Sequence, residues 1–172
     1  MRRICAWCGK DMGLVGPEGD DTKLITHSIC GECAHHQLAQ IGMEVPAFLE
    51  GLHYPVVVVD STGIIVTGNT KALEMVKKEL SQVEGYPGGE VFECEHARLP
   101  GGCGNTVHCS GCTIRKAVME THSTGKSLLR TPATLVQHSS GDPKEIRLLI
   151  STEKVEDVVL LRIDEVNPSG SI

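Results

Sequence analysis

From about residue 45 onward the chain alternates short apolar runs with clusters of turn-forming residues. Residues 47–52 read as the end of a short amphipathic helix that stops at Tyr54-Pro55, because the residue before a proline is pushed out of the helical region. Val56–Val59 is four consecutive valines, the composition of a buried strand. The turn cluster Asp60-Ser61-Thr62-Gly63 follows, and residues 64–67 return as a second strand, so the three pieces predict a hairpin. Asn69 is a good N-cap for a helix over residues 70–80, in which Ala72, Leu73, Val76 and Leu80 share one face. Gly85 closes that segment and Gly88-Gly89 marks a further turn. Ile114, Ala117, Val118 and Thr121 predict another helix ending near Gly125. Three β runs come last, at residues 127–137, 145–151 and 155–163, separated by residues 139–143 and by Thr152-Glu153-Lys154. Residues 167–172, rich in Ser, Gly and Pro, predict a flexible, frayed tail. Five strands with helices between the second and third predict an α+β domain with one five-stranded antiparallel sheet.

The first 40 residues lack this pattern. Between Lys10 and Asp21 only Met12, Leu14 and Val15 are sizeable apolar residues, too few to build a core. The segment does hold four of the eight cysteines in this chain of 172 residues, as Cys5-Ala-Trp-Cys8 and Cys30-Gly-Glu-Cys33. Two thiolates three positions apart on a tight turn can both reach one tetrahedral ion at about 2.3 Å, and a second such turn completes the shell. The spacing between the pairs is one residue longer than the common zinc pattern of paired knuckles. Gly9 and Gly31 stand where knuckle turns need small residues. Cys5, Cys8, Cys30 and Cys33 are therefore expected to bind zinc, which would supply folding energy that the segment's side chains do not. His27, His35 and His36 are nearby spare donors, and Trp7 is expected to pack over the knuckle. The expected organisation is a four-cysteine module over residues 1–40, an α+β domain over 41–166 and a tail over 167–172.

The other four cysteines, Cys94, Cys103, Cys109 and Cys112, lie within one glycine-rich stretch at residues 94–112 that also carries His96 and His108 as further candidate ligands. Only the last pair has knuckle spacing. Four sulfurs so close in sequence suit zinc or an iron-sulfur cluster, since both accept tetrahedral thiolate sets. A reversible thiol/disulfide switch without metal is a third reading. The N-terminal end of the helix over residues 114–125 would stabilise the thiolates of Cys109 and Cys112.

Composition narrows the functions open to such a chain. Sixteen Lys and Arg against 22 Asp and Glu give a net charge of −6, which disfavours broad binding to nucleic acid or anionic lipid. The longest apolar runs fall far short of the roughly 20 residues of a spanning helix. The start, Met1-Arg2-Arg3-Ile4-Cys5, meets Gly9, Lys10 and Asp11 where a signal peptide needs apolar residues. A cytoplasmic, reducing setting is expected, and in such a setting eight cysteines point to metal before disulfides.

Several residues in the second region carry a family resemblance. Phe48-Leu49-Glu50-Gly51-Leu52, the stretch from Pro55 to Gly63 and the run of Ile64 to Asn69 resemble the opening of a PAS sensory domain, and the last three strands resemble its close. The spacing of Val58, Val59, Asp60, Gly63, Ile65 and Asn69 carries most of the resemblance, which spans residues 44–166. Cys94, His96 and Ala97, then Gly102-Cys103-Gly104 and Cys109 with Cys112, resemble a cysteine-bearing PAS variant of bacterial signalling proteins. Thr26-His27-Ser28-Ile29-Cys30-Gly31-Glu32-Cys33 is similar to a small zinc-ribbon-like segment.

The resemblance implies a sensor of redox state or of a small-molecule ligand, not an enzyme, that signals by associating with a protein partner or with a second copy through the PAS-like domain. A non-sensing adaptor with two inert zinc sites is the contrasting expectation. Other motifs are weak. Gly125-Lys126-Ser127 lacks the glycine a phosphate loop needs, having Glu120 there, and reads as a helix-to-strand turn. Asp60 reads as a turn former rather than a phosphoacceptor, and His122 as a surface residue rather than a haem ligand.

Overall fold

The computed structural model describes residues 2–6, 8–14, 25–28, 30 and 45–168. The chain divides into two compact units, Met1–Leu52 and His53–Ile172. In the first, strands β1 (Arg2–Cys5), β2 (Asp11–Leu14) and β3 (Ile25–Ser28) form a small sheet in the order β2-β1-β3. β1 runs antiparallel to β2 and parallel to β3. Its hairpin closes through Cys5 N–H donating to the Lys10 carbonyl at 2.8 Å, and an Arg2 Nε–H bond of 2.6 Å to Asp11 ties the two strands. These strands are not predicted by the sequence, since four residues such as Arg-Arg-Ile-Cys show no alternation of period two. Helix α1 (Val45–Glu50) ends this unit near the expected position. Trp7, Gly31, Cys33, His35 and His36 lie outside the described residues, as does residue 169 onward.

The second unit is built on the expected five-stranded antiparallel sheet with flanking helices. Its strands are β4 (Val56–Val59), β5 (Ile65–Gly68), β6 (Leu128–Gln137), β7 (Lys144–Val155) and β8 (Val158–Pro168), in the spatial order β5-β4-β8-β7-β6. The hairpin and the three-strand meander are both present, and β8 joins them by pairing with β4 from Val56↔Arg162 to Val59↔Val159. One apolar core gathers Val57, Val59, Ile65, Ala133, Leu135, Leu148, Ile150, Val159, Leu161 and Ile163 from the sheet with Ala72, Val83, Val91, Ala117 and Val118 from the connecting segments. Ile65 and Ile150 are fully buried, and each such side chain stabilises the fold by about 1.5–3 kcal/mol. Pro132 is accommodated because β6 is an edge strand, and Arg130, with φ of 43°, sits at the bulge between Leu128 and Thr131.

Several element boundaries depart from the sequence expectation. Helix α2 spans Thr70–Val76, not residues 70–80. Lys77 adopts a left-handed conformation, its N–H and that of Lys78 turn back onto the carbonyls of the last turn, and Leu80 belongs to a separate 3-10 turn. Gly88-Gly89 opens a one-turn helix, α3 (Gly88–Val91), behind Pro87. Thr152, Glu153 and Lys154, expected as a turn, continue β7 and pair with Leu161, Leu160 and Val159; the turn falls one step later at Glu156-Asp157, where Glu156 takes a positive φ of 54°. Asn167 and Pro168, expected in the tail, pair with Arg147 and Ile146 at the end of β8.

Helix α4 (Thr113–Thr124) ends as predicted at Gly125, whose φ is 70°, confirming the helix-to-strand turn there. The carboxylate of Asp60 accepts from Thr62 N–H, Thr62 Oγ1–H and Ile64 N–H at 2.7–3.0 Å, so Asp60 is the expected turn former. His122 is hydrogen-bonded to the Asp157 carbonyl at 3.2 Å and belongs to the surface. Among the described residues no helix is long and apolar enough to cross a membrane.

Candidate functional site

Cys5, Cys8 and Cys30 converge because β1 and β3 run side by side. Cys5 ends β1, and the chain turns through Cys8 and a left-handed Gly9, whose N–H donates to the Cys5 carbonyl at 3.0 Å. The parallel pairing Cys5↔Ser28 then sets Cys30 beside the turn. Their three sulfurs lie within 4.8 Å of one another, with Cys8 Sγ 3.8 Å from Cys30 Sγ. A tetrahedral ion with bonds of about 2.3 Å holds its sulfurs about 3.8 Å apart, so these thiols fit a single zinc. The Cys5 sulfur also accepts N–H groups from Cys8 and Cys30 at 3.5 and 3.4 Å, an arrangement suited to a thiolate. Cys33, the fourth expected ligand, lies outside the described residues.

The second cysteine group lines a cavity of about 300 Å³ in the His53–Ile172 unit, at the lower end of the range for cofactor and ligand pockets. Its floor is the apolar face of the sheet, with Val59, Ile65, Leu135 and Leu161, and one wall is Val118 and Met119 of α4. Cys94, Cys103, Cys109, Cys112, His96 and His108 all face it. Cys94 is placed by a bridge to Gln137 of β6, Cys109 opens a 3-10 turn (Cys109–Gly111), and Cys112 is the N-cap of α4. His96 and His108 stack with centroids 4.0 Å apart and planes 16° from parallel.

Three of the four sulfurs accept a backbone N–H: Cys103 from Gly89 at 3.3 Å, Cys109 from Gly104 at 3.1 Å and Cys112 from Arg115 at 3.4 Å. Of the two sulfurs expected to draw on the start of the following helix, Cys112 does so through this last bond, whereas Cys109 takes its backbone N–H from the loop at Gly104. Burial pushes the Cys103 thiol up, with the neighbouring Cys109 and Cys112 charges adding to it, and the Gly89 N–H offsets only part of this. Burial also acts on Cys109, but hydrogen bonds from Thr106 and Gly104 and the charge of Arg115 outweigh it and hold that thiol below its ordinary value. Two neighbouring sulfurs thus differ in their readiness to ionise.

Arg115 has no part in the sequence expectation, and Gly89 and Gly104 enter it only as a turn residue and as part of a family-like stretch. The Arg115 guanidinium lies between Gly63 and Gly104: a Cβ on either would stand 2.8 or 2.9 Å from its Nη1. It bridges the β4–β5 turn to the cysteine loop. A cation three positions after Cys112, on the same helical face, was the available signal. Gly89 is equally constrained, since a Cβ there would meet Cys103 Sγ at 2.7 Å and Cβ at 2.9 Å. Gly89→Ala is therefore expected to displace Cys103 and to cost about 1–3 kcal/mol in chemical denaturation, despite alanine's higher helix propensity. Gly111→Ala, with open space around its Cβ, is expected to be near neutral; equal effects from the two would refute this packing account.

No protein-family model matches the chain, and no curated protein matches it. Among solved structures it is similar to the photoactive yellow protein domain of the sensor histidine kinase Ppr from Rhodospirillum centenum, at 18% identity and a TM-score of 0.44, covering 74% of this chain and 96% of that one. It is similar to a domain of the sensory box sensor histidine kinase/response regulator from Geobacter sulfurreducens, at 14% identity and a TM-score of 0.47, covering 75% and 97%. It is also similar to the PAS domain of a nitrogen regulation protein from Vibrio parahaemolyticus, at 14% identity and a TM-score of 0.44, covering 70% and 95%.

Proposed function

We propose that this chain is a PAS-like sensory protein in which the second cysteine group is the receiving site and the first is a structural zinc site. The observation that carries the reading is that Cys94, Cys103, Cys109 and Cys112, delivered by separate local elements, open onto one cavity against the sheet. Thiols that only filled space would not need three backbone N–H donors aimed at their sulfurs. A metal held there would neutralise the thiolates and tie the loop to α4. Oxidation of the thiols, or loss of the metal, would release the loop at residues 94–112 and change the surface offered to a partner. The role is non-catalytic: the output is association with a signalling protein or with a second copy of the chain.

Hydrogen exchange on the full chain tests this. Residues 94–112 and the first turn of α4 are expected to exchange at least tenfold faster after oxidation, while Val57, Ile150 and Leu161 in the sheet stay protected. Cys94→Ser is expected to exchange rapidly there in both states. Identical exchange of the wild-type loop in reduced and oxidised protein would overturn the sensing reading and favour an inert adaptor.

A further inference from the structure

We propose that the second group of cysteines holds an iron-sulfur cluster of the four-iron, four-sulfide type rather than a single ion; this deepens the sensing reading above and rests on it. Among the described residues only Cys5, Cys8 and Cys30 bring three His, Cys, Asp or Glu donor atoms within 4.8 Å of one another. The set of Cys94, Cys103, Cys109, Cys112, His96 and His108 contains no such trio, although all six residues line one cavity. A single tetrahedral zinc needs every pair of its sulfurs about 3.8 Å apart. A cubane cluster binds each thiolate at a different corner iron, so its sulfurs stand well apart around a central volume. The first site has the compact geometry that one ion needs, and the second brings no three donor atoms that close although its residues share one cavity.

Four further features agree. A cavity of about 300 Å³ leaves room for a group much larger than one ion. The backbone N–H groups of Gly89, Gly104 and Arg115 point at three of the sulfurs, which is how proteins stabilise and tune such clusters. The Arg115 guanidinium, packed against Gly63 and Gly104, places a fixed cation beside a group that four thiolates would make net negative. The apolar floor of Val59, Ile65, Leu135 and Leu161 keeps water from one side.

Binding is a ligand exchange without net redox change. Each of the four Cys Sγ atoms loses its proton and bonds one iron of a preformed cluster, and four small thiolates leave and take up the protons. The test is to incubate the full chain without air with a four-iron cluster carried by a small thiol, then remove the excess and analyse it. The expected product holds about four iron and about four sulfide per chain beside one zinc, with broad visible absorption that bleaches on reduction by dithionite. Arg115→Gln should keep the iron and shift the reduction potential to more negative values.

A second zinc per chain with no iron or sulfide would overturn the cluster and leave metal-dependent sensing standing. A chain whose sheet is folded by circular dichroism and whose cavity takes neither iron nor zinc would overturn both. Because stoichiometry is read on the wild-type protein, the result does not depend on whether cysteine variants fold.

Discussion

Stripping metal from the full chain with a strong chelator is expected to abolish hydrogen-exchange protection at Cys5 and Gly9 while leaving Val57, Val58 and Leu161 protected. The two amides close the β1–β2 hairpin and the knuckle turn. Around them stand three strands of four residues each and a surface ion pair between Arg2 and Asp11, which water screens and which adds little to the fold. A structural zinc contributes on the order of 10 kcal/mol to a segment of this kind. Its removal should therefore unfold the Met1–Leu52 sheet outright. The five-stranded sheet has its own apolar core and should keep its exchange pattern. Cys5→Ser should reproduce the effect without chelator. Retained protection at Cys5 in protein assayed as metal-free would defeat the assignment of a structural zinc.

The second large effect is expected at Asn69, which is fully buried. Its Oδ1 accepts from Ala72 N–H, capping α2, and from Val56 N–H, both at 3.0 Å, and its Nδ2 donates to the Tyr54 carbonyl at 2.8 Å. One side chain thus satisfies a helix start, the first amide of β4 and the Tyr54 carbonyl two residues before that strand. Asn69→Ala removes a cap, typically about 1 kcal/mol, and strands buried backbone groups at about 1–3 kcal/mol. A loss of about 2–4 kcal/mol is expected, read as a lower urea midpoint at unchanged m-value. Asn69→Ser should recover only the cap, because a serine hydroxyl is too short to reach Val56 and Tyr54 as well. A loss under about 1 kcal/mol for the alanine variant would show that the network is not coupled to the fold.

Asn69 also shows what could be read from the sequence. Its capping role was legible because Asn before an apolar-periodic run has a local cause, but its bonds to Val56 and Tyr54 depend on a hairpin closing. The hairpin itself was legible from four valines, a turn cluster and an apolar return. The insertion of β8 beside β4 was not, since nothing local specifies which strand edge a meander meets. Boundaries failed where polar residues sit in strands: Glu153 and Lys154 lie on β7, and only the left-handed Glu156 marks the turn. At the candidate site, the crowding of Cys94, Cys103, Cys109 and Cys112 into one stretch of sequence agrees with their lining one cavity. The glycines that make room for Cys103 and Arg115 carry no chemistry of their own and become visible only as forbidden Cβ positions.

The cysteine loop has both ends fixed by the fold. At one end Cys94 bridges Gln137, the His138 N–H donates to the Glu93 carbonyl at 2.7 Å and His138 Nδ1 meets Glu95 at 2.6 Å. At the other end Cys112 caps α4. The entropy of closing a loop of that length, roughly 2–3 kcal/mol, is thus lost when the sheet forms and not when a group enters the cavity. The loop's grip on whatever it holds is therefore tied to strand β6: a substitution that frays this edge loosens one anchor and lowers the affinity of the site without touching a thiol.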